Sequence, residues 1–381
     1  MNEGEFASLA ATLRASAGLA AERAVVSGFD AFVDEVGHVV ATRQSPDAYE
    51  PVPTIAAYAE WVAASAGRSG LREFVIHERA AGGCTVNMGD GIATLGFPLD
   101  VFAGLGDPTD PAFDGFASKC RSVDTLGMTP GRTVVAEFED GKLMLCTFSH
   151  FAAITPDYFR TALAGGGYRA ACEQASAIVL TSWSVFPHMT QCWEFLQKEI
   201  FSGLLHRPRF FFDLADPASR SPDDLVQMAE ALAGFEACGP TTLSLNGAEA
   251  NQLARALGIP PANLDSEEII RLCTDLRERI GISELGVHII KAAASATADS
   301  ADLVPGPYCA KPAKSVGAGD RFNAGWLAGY MLGLDLRERL LLGVVTSGFF
   351  VRMARSGTLD EVASFAQLCE EGRPDAIIES Q

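Results

Sequence analysis

The sequence is poor in several features at once, and each shortage argues against a class of protein. Basic residues are scarce: 29 Lys and Arg stand against 48 Asp and Glu, a formal charge of −19. Such a surface repels polyanions, which argues against nucleic acid or an anionic membrane as partner. A small anionic ligand still needs only a local positive site. No apolar run is long enough to span a bilayer. The N-terminal MNEGEFASLA carries acidic residues where a signal peptide carries basic ones. The nine cysteines include no CxxC pair, so neither a zinc framework nor a disulfide scaffold is expected, and reduced thiols in a cytoplasmic protein fit the odd count better. GxxxxGK[ST], GxSxG and HExxH are missing, and no GxGxxG opens a helix after an early strand, which sets aside P-loop kinases and Rossmann dehydrogenases.

What is present is a chain of 381 residues, 48% of them hydrophobic, enough to bury a large core without staples. Apolar runs alternate with amphipathic, alanine-rich stretches. Strands are predicted at Ala24–Ser27, Leu99–Ala103, Ala177–Thr181, Arg209–Asp213, Thr242–Leu245 and Val287–Lys291. Helices are predicted at Thr85–Leu95, Pro222–Ala233, Ala248–Leu257 and Ala318–Leu332. This alternation implies an α/β fold with a mostly parallel central sheet, whose ligands gather at the carboxyl ends of the strands. Val33–Ala41 and Thr133–Thr147 break the rhythm and read as β-ribbon, the second turning at Glu139–Lys142. They predict a small discontinuous β lid on a single domain spanning residues 1–381.

The sharpest local signal is Lys314-Ser-Val-Gly-Ala-Gly-Asp-Arg-Phe-Asn323 before a strong helix. Gly317 and Gly319 let the backbone approach an anion closely, and with Ala318 their N–H groups would face it from a helix N-terminus. Asp320 then falls in the first helical turn, placed to take a proton from an attacking hydroxyl. In isolation the same four residues read as a tight turn with Asp320 helping to cap the helix.

Context changes that reading. GAGDRFNAG ahead of a C-terminal helix resembles the second signature of the ribokinase-like (PfkB) carbohydrate kinases. Gly82-Gly83-Cys84-Thr85-Val86-Asn87 resembles that family's di-glycine segment and substrate-binding Asn. Gly28-Phe-Asp30-Ala-Phe-Val-Asp34 resembles its N-terminal substrate motif, LDVFAGLGD its next strand and turn, and Asn246-Gly-Ala-Glu249 its NxxE motif. The five occur in the family's order between Ala24 and Gly357. The resemblance implies a three-layer α/β/α fold and phosphoryl transfer from ATP to a hydroxyl of a sugar or sugar phosphate. It assigns Asp320 as base, with Gly317, Ala318 and Gly319 around the moving group. Asp30, Asp34, Gly82, Gly83 and Asn87 would hold the substrate, the polar ones by hydrogen bonds to vicinal hydroxyls. Asn246 would meet the nucleotide, joined by Lys291 and Lys314, two residues peculiar to this sequence, and Glu249 with Asp213 would hold Mg²⁺, chiefly through water. A nucleoside acceptor, ADP as donor, and a non-catalytic ligand-binding role are the alternatives; a homodimer joined through lid strands is a further expectation.

The sequence departs from the family in three places. Lys314 stands where an acidic residue is usual, next to a monovalent-cation site, so a tethered ammonium would replace the ion and activity would need no added K⁺. The strand at Val287 lacks the Thr-x-Gly that commonly meets the nucleotide. Cys84 replaces a lysine of the sugar-binding turn in ribokinase. The stretch Gln44–Arg79 is also longer than a simple family member needs; its Tyr58 and Trp61 lie on a helix-like segment, as core, cleft or oligomer contacts.

Overall fold

A computed structural model describes residues 4–264 and 267–379. Its strands, in chain order, begin with β1 (Val25–Gly28), β2 (Phe32–Ser45), β3 (Ala48–Pro51), β4 (Phe74–Gly82), β5 (Leu99–Phe102), β6 (Ser122–Asp124) and β7 (Gly131–Phe138). They continue with β8 (Gly141–Thr147), β9 (Ala177–Leu180), β10 (Arg209–Asp213), β11 (Thr241–Asn246), β12 (Glu284–Ile289), β13 (Ala292–Ala296) and β14 (Ala301–Pro305). The main sheet has the order β14-β13-β12-β11-β10-β9-β1-β5-β6. Pairing is parallel from β12 to β6 and antiparallel at β13 and β14.

The central strands are short and buried along their whole length, as a parallel sheet covered on both faces requires. Successive residues serve opposite faces. Ile178, Leu180, Phe210 and Phe212 pack into one core with the helices Met189–Glu199, Pro222–Phe235, Gly247–Ala256 and Glu268–Ile280. Ala177, Val179 and Phe211 pack into another with Glu5–Ala15, Cys84–Thr94, Ala318–Met331, Leu336–Met353 and Leu359–Glu370. The result is a three-layer α/β/α body.

The predicted strands exist in the expected order, with one shift that matters. β12 begins at Glu284 and ends at Ile289, so Lys291 lies in the hairpin turn after it rather than at a strand end. β13 was not expected, because AAASA has little intrinsic strand preference; its pairing with β12 and β14 decides it.

The smaller sheet is built around β2, which pairs antiparallel with β4 and parallel with β7; β8 folds back on β7, and β3 on the far end of β2. β3 and β4 come from the long stretch after Gln44, which carries the helix Ile55–Ala64 between them. That helix covers one face, packing Ala57 and Tyr58 over Val39, Val52 and Ala136. Tyr58 stacks on Trp61 at 5.8 Å and meets Phe138 at 5.6 Å, so both aromatics serve this small core. Strand alternation sends Asp34 and His38 to the opposite face.

Candidate active site

Side chains from the carboxyl ends of β1, β9, β10 and β11 converge with the N-termini of two helices, Cys84–Thr94 and Ala318–Met331. Asp30, just past β1, is fully buried. One of its oxygens accepts from the Cys84 N–H (2.8 Å), the other from the Thr85 N–H (3.0 Å), the Thr85 hydroxyl (2.8 Å) and the Thr181 hydroxyl (3.0 Å). Asp30 therefore caps the first of these helices, with one oxygen taken up by three donors and the other accepting a single N–H bond. Gly83 makes the cap possible. Its φ of 98° lies in the left-handed region, and a Cβ there would sit 2.6 Å from an Asp30 carboxylate oxygen. Gly83→Ala is expected to destabilise the protein by about 1–3 kcal/mol from backbone strain alone, read as a lowered urea midpoint.

Asp34 lies on β2 with Thr133 beside it across the β2–β7 pair, and Gly82 at the end of β4 abuts its carboxylate. Burial raises its pKa, against opposing effects from the Thr133 hydrogen bond and the Lys314 charge. Lys314 thus acts on the face that carries Asp34. Its neighbour Ser315 lines the cleft described below.

Gly317 caps the second helix at φ 86°. The Ala318 N–H is spent on the Ser315 carbonyl (3.1 Å), so Ala318 is not one of the available anion donors. Among the described residues the N–H groups of Gly317, Gly319 and Asp320 have no backbone acceptor. Arg321, which sequence reasoning passed over, adds a side-chain donor. Its Nε donates to the Ser356 hydroxyl (3.1 Å) and one terminal nitrogen to Asp90 (3.0 Å). The other terminal nitrogen is buried without a partner, and a Cβ on Gly317 would lie 2.9 Å from it. That orphaned donor and the free amides edge the same small space. Asn87 borders it too, 3.4 Å from the same Gly317 position, and favours the ionised form of Asp320.

Asp320 shares this region with three other carboxylates. Burial, then the Asp213 charge, pushes its pKa up to about 8, against the opposing pull of Arg321. Asp213 is itself raised, by burial and by Asp30. It accepts from the Ala215 N–H (2.9 Å) and from Asn323 Nδ2 (2.7 Å), while Ser244 donates to Asn323 Oδ1 (2.6 Å). This relay fixes the Asp320 helix to β10 and β11. A fully buried asparagine on an otherwise apolar helix face is the signal that would have found it. Burial, then the charges of Asp320, Asp213 and Asp30, raise the Cys84 thiol's pKa and keep it neutral.

Glu249 serves two purposes. With Asn246 it forms a capping box: its carboxylate accepts from the Asn246 N–H (2.8 Å), and Asn246 Oδ1 accepts from the N–H groups of Ala248 (2.9 Å) and Glu249 (3.0 Å). Burial and then Asp213, with Asp216 and Asp320 adding to it, push its pKa up to about 9. Four mutually repelling carboxylates are what a divalent cation neutralises. They do not form a close ligand cluster, so the donor set suits a hydrated Mg²⁺ bridged through water.

Next to these groups opens a cleft of about 820 Å³, lined by Asn246, His288, Lys291, Ala318, Gly319 and Phe322 among others. Lys291 reaches it from the hairpin turn, with its Nζ 5.4 Å from the Tyr308 ring centre. His288, at the end of β12, packs 5.0 Å from the Phe322 ring and flanks Gly319. Burial lowers its pKa to about 4, so it stands neutral in the cleft. Its register in the sheet, not the sequence, puts it there.

A helix start with free amides and a buried carboxylate, set beside a large cleft on this sheet order, goes with a carbohydrate kinase of the ribokinase type, the class that the following similarities show. A family model for prokaryotic ketohexokinase matches residues 7–368, and the chain belongs to that family. A ketohexokinase of Haloferax volcanii is 30% identical over 348 residues, covering 90% of each chain. Ribokinase from Cryptococcus neoformans, solved with ADP, superposes with a TM-score of 0.63 at 18% identity, covering 90% of this chain and 99% of the other. A putative ribokinase II from E. coli, solved with ATP and Mg²⁺, gives 0.58 at 16% identity, covering 91% and 99%. These solved structures corroborate the fold. Among the described residues no helix is long and apolar enough to cross a membrane, and all nine cysteines are free.

Proposed function

We propose that the protein transfers the γ-phosphoryl group of ATP to a hydroxyl of a ketohexose, with Asp320 as the base. The observation that carries this reading is the position of Asp320. It sits in the first turn of an amide-lined helix start, near Asn87 and the orphaned Arg321 nitrogen. The sugar lies between Asp34 and Asn87, with its reacting hydroxyl toward Asp320. As the hydroxyl attacks, its proton passes to the Asp320 carboxylate. The N–H groups of Gly317 and Gly319, with Arg321, hold the equatorial oxygens of the transferring group. The nucleotide occupies the 820 Å³ cleft near Asn246 and Lys291. Bound Mg²⁺ would neutralise phosphate charge there, held through water by Glu249 and Asp213. The small sheet closes over the sugar as a lid and excludes water as a competing acceptor.

The test is a panel of ketohexoses, aldohexoses, ribose and adenosine with ATP or ADP, scored for nucleotide turnover. Turnover confined to ketohexose with ATP supports the reading. Turnover with adenosine, or only with ADP, overturns it.

The carboxylate cluster has its own signature. The native pKa of Glu249 lies above its unfolded value, so its contribution to stability is present below about pH 4.5 and is lost as pH rises toward 9. Gln keeps the capping box but carries no charge. Glu249→Gln is therefore expected to melt above wild type at pH 8 without Mg²⁺, by a margin that vanishes toward pH 5, and to gain less from added Mg²⁺. Thermal unfolding at the two pH values checks this.

A further inference from the structure

Away from Asp320, on the same face of the small sheet as Asp34, three side chains from three strands meet: His38 of β2, His77 of β4 and Glu137 of β7. One candidate ligand atom from each lies within 4.8 Å of the other two. Among the described residues no other group of three His, Cys, Asp or Glu side chains does this. We infer that His38, His77 and Glu137 form a binding site for a transition-metal cation of the Zn²⁺ class.

The geometry supports this in several ways. Zn–N and Zn–O bonds of about 2.0–2.2 Å at a tetrahedral angle need a ligand–ligand edge of roughly 3.4 Å. His77 Nε2 and Glu137 Oε2 already stand 3.1 Å apart, and the two imidazole centres are 4.9 Å apart. His38 Nδ1 hydrogen-bonds the Tyr49 hydroxyl at 3.0 Å, which orients the ring and leaves its other nitrogen to ligate. Lys142 holds Glu137 Oε1 at 2.6 Å, so the oxygen beside His77 is the one presented. Two imidazoles and one carboxylate suit Zn²⁺ rather than Mg²⁺, which prefers oxygen throughout. Three protein ligands leave a fourth position open to water or an exchangeable group.

A cation here ties β4, β2 and β7 together. His77 lies at the irregularity of the β2–β4 pairing, where Gly37 faces Ile76 and Val36 faces Glu78. The site therefore clamps the strand pair where its ladder is interrupted. Occupancy stiffens the sheet that carries Asp34.

The test titrates the full-length protein with ZnCl₂ by calorimetry and with CoCl₂ by absorption, beside His38→Asn, His77→Asn and Glu137→Gln. Wild-type protein is expected to bind one Zn²⁺ that excess Mg²⁺ does not displace. Each variant is expected to weaken binding about tenfold or more, and Zn²⁺ should raise the melting temperature of wild type but not of His77→Asn. Unchanged melting temperatures of the metal-free variants establish that they fold. The cobalt complex should show no thiolate charge-transfer band. Equal zinc binding by wild type and all three variants, or a thiolate band reporting a cysteine ligand such as the exposed Cys146, would overturn the assignment.

Discussion

Asp320→Asn is expected to bind sugar and nucleotide with near-normal affinity and to lose about two to four powers of ten in kcat, the usual contribution of a positioned general base. That loss corresponds to about 3–5 kcal/mol of transition-state stabilisation. The substitution keeps the shape of the side chain while removing the proton acceptor. It also removes one of four crowded carboxylates, so the folded protein should be no less stable than wild type. The sign of the pH dependence follows from the same residue. Only ionised Asp320 accepts a proton, and its pKa is pushed up to about 8. Turnover should therefore fall as pH drops below that value. Mg²⁺ favours the ionised form, so raising its concentration should move the inflection to lower pH. Steady-state kinetics across pH at two Mg²⁺ concentrations measures both. Near-normal turnover by the variant would remove Asp320 as the base.

The second large effect belongs to Arg321. Removing one donor aimed at developing negative charge costs about a hundred- to a thousand-fold in kcat. Arg321→Met is expected to lose that much, mostly in kcat rather than KM. A structural explanation competes, because the same guanidinium bonds Asp90 and Ser356 and lies 4.5 Å from the Phe350 ring centre. Asp90 nevertheless keeps Lys119 and the Ser356 hydroxyl, each at 2.6 Å, so the variant is not left with an unpaired buried acid. The pH profile separates the two roles. Arg321 pulls the Asp320 pKa down, so losing it should shift the activity profile to higher pH. A packing defect alone would lower activity without moving the inflection.

The motifs read most plainly from sequence are those whose geometry is local. Gly317 through Asp320 occupy one turn, and a left-handed cap followed by a helix constrains residue types over that short span. The Asn246–Glu249 capping box is equally local, which is why its two readings could not be separated: the structure gives Glu249 the cap and the acid cluster together. Asp30 went the other way. Its type and position suit a sugar ligand, but Thr85 and Thr181, far along the chain, both donate to one of its oxygens, and the Cys84 N–H donates to the other. Arg321, Asn323 and His288 carried no spacing signal, because what defines them are contacts with Asp90, Asp213 and Gly319.

The amino-acid sequence by itself determined the α/β class, the strand order along the chain and the glycine-capped start of the Asp320 helix, since each depends on periodicity or on a few adjacent backbone angles. Only the tertiary structure decided which acids crowd together, which cap and which remain open. It also decided that Lys314 acts on Asp34 and that an orphaned guanidinium nitrogen of Arg321 lies beside Gly317. Those outcomes depend on burial and charge between residues distant in sequence, where a carboxylate's neighbours, not its identity, set whether it holds a proton, a backbone or a ligand.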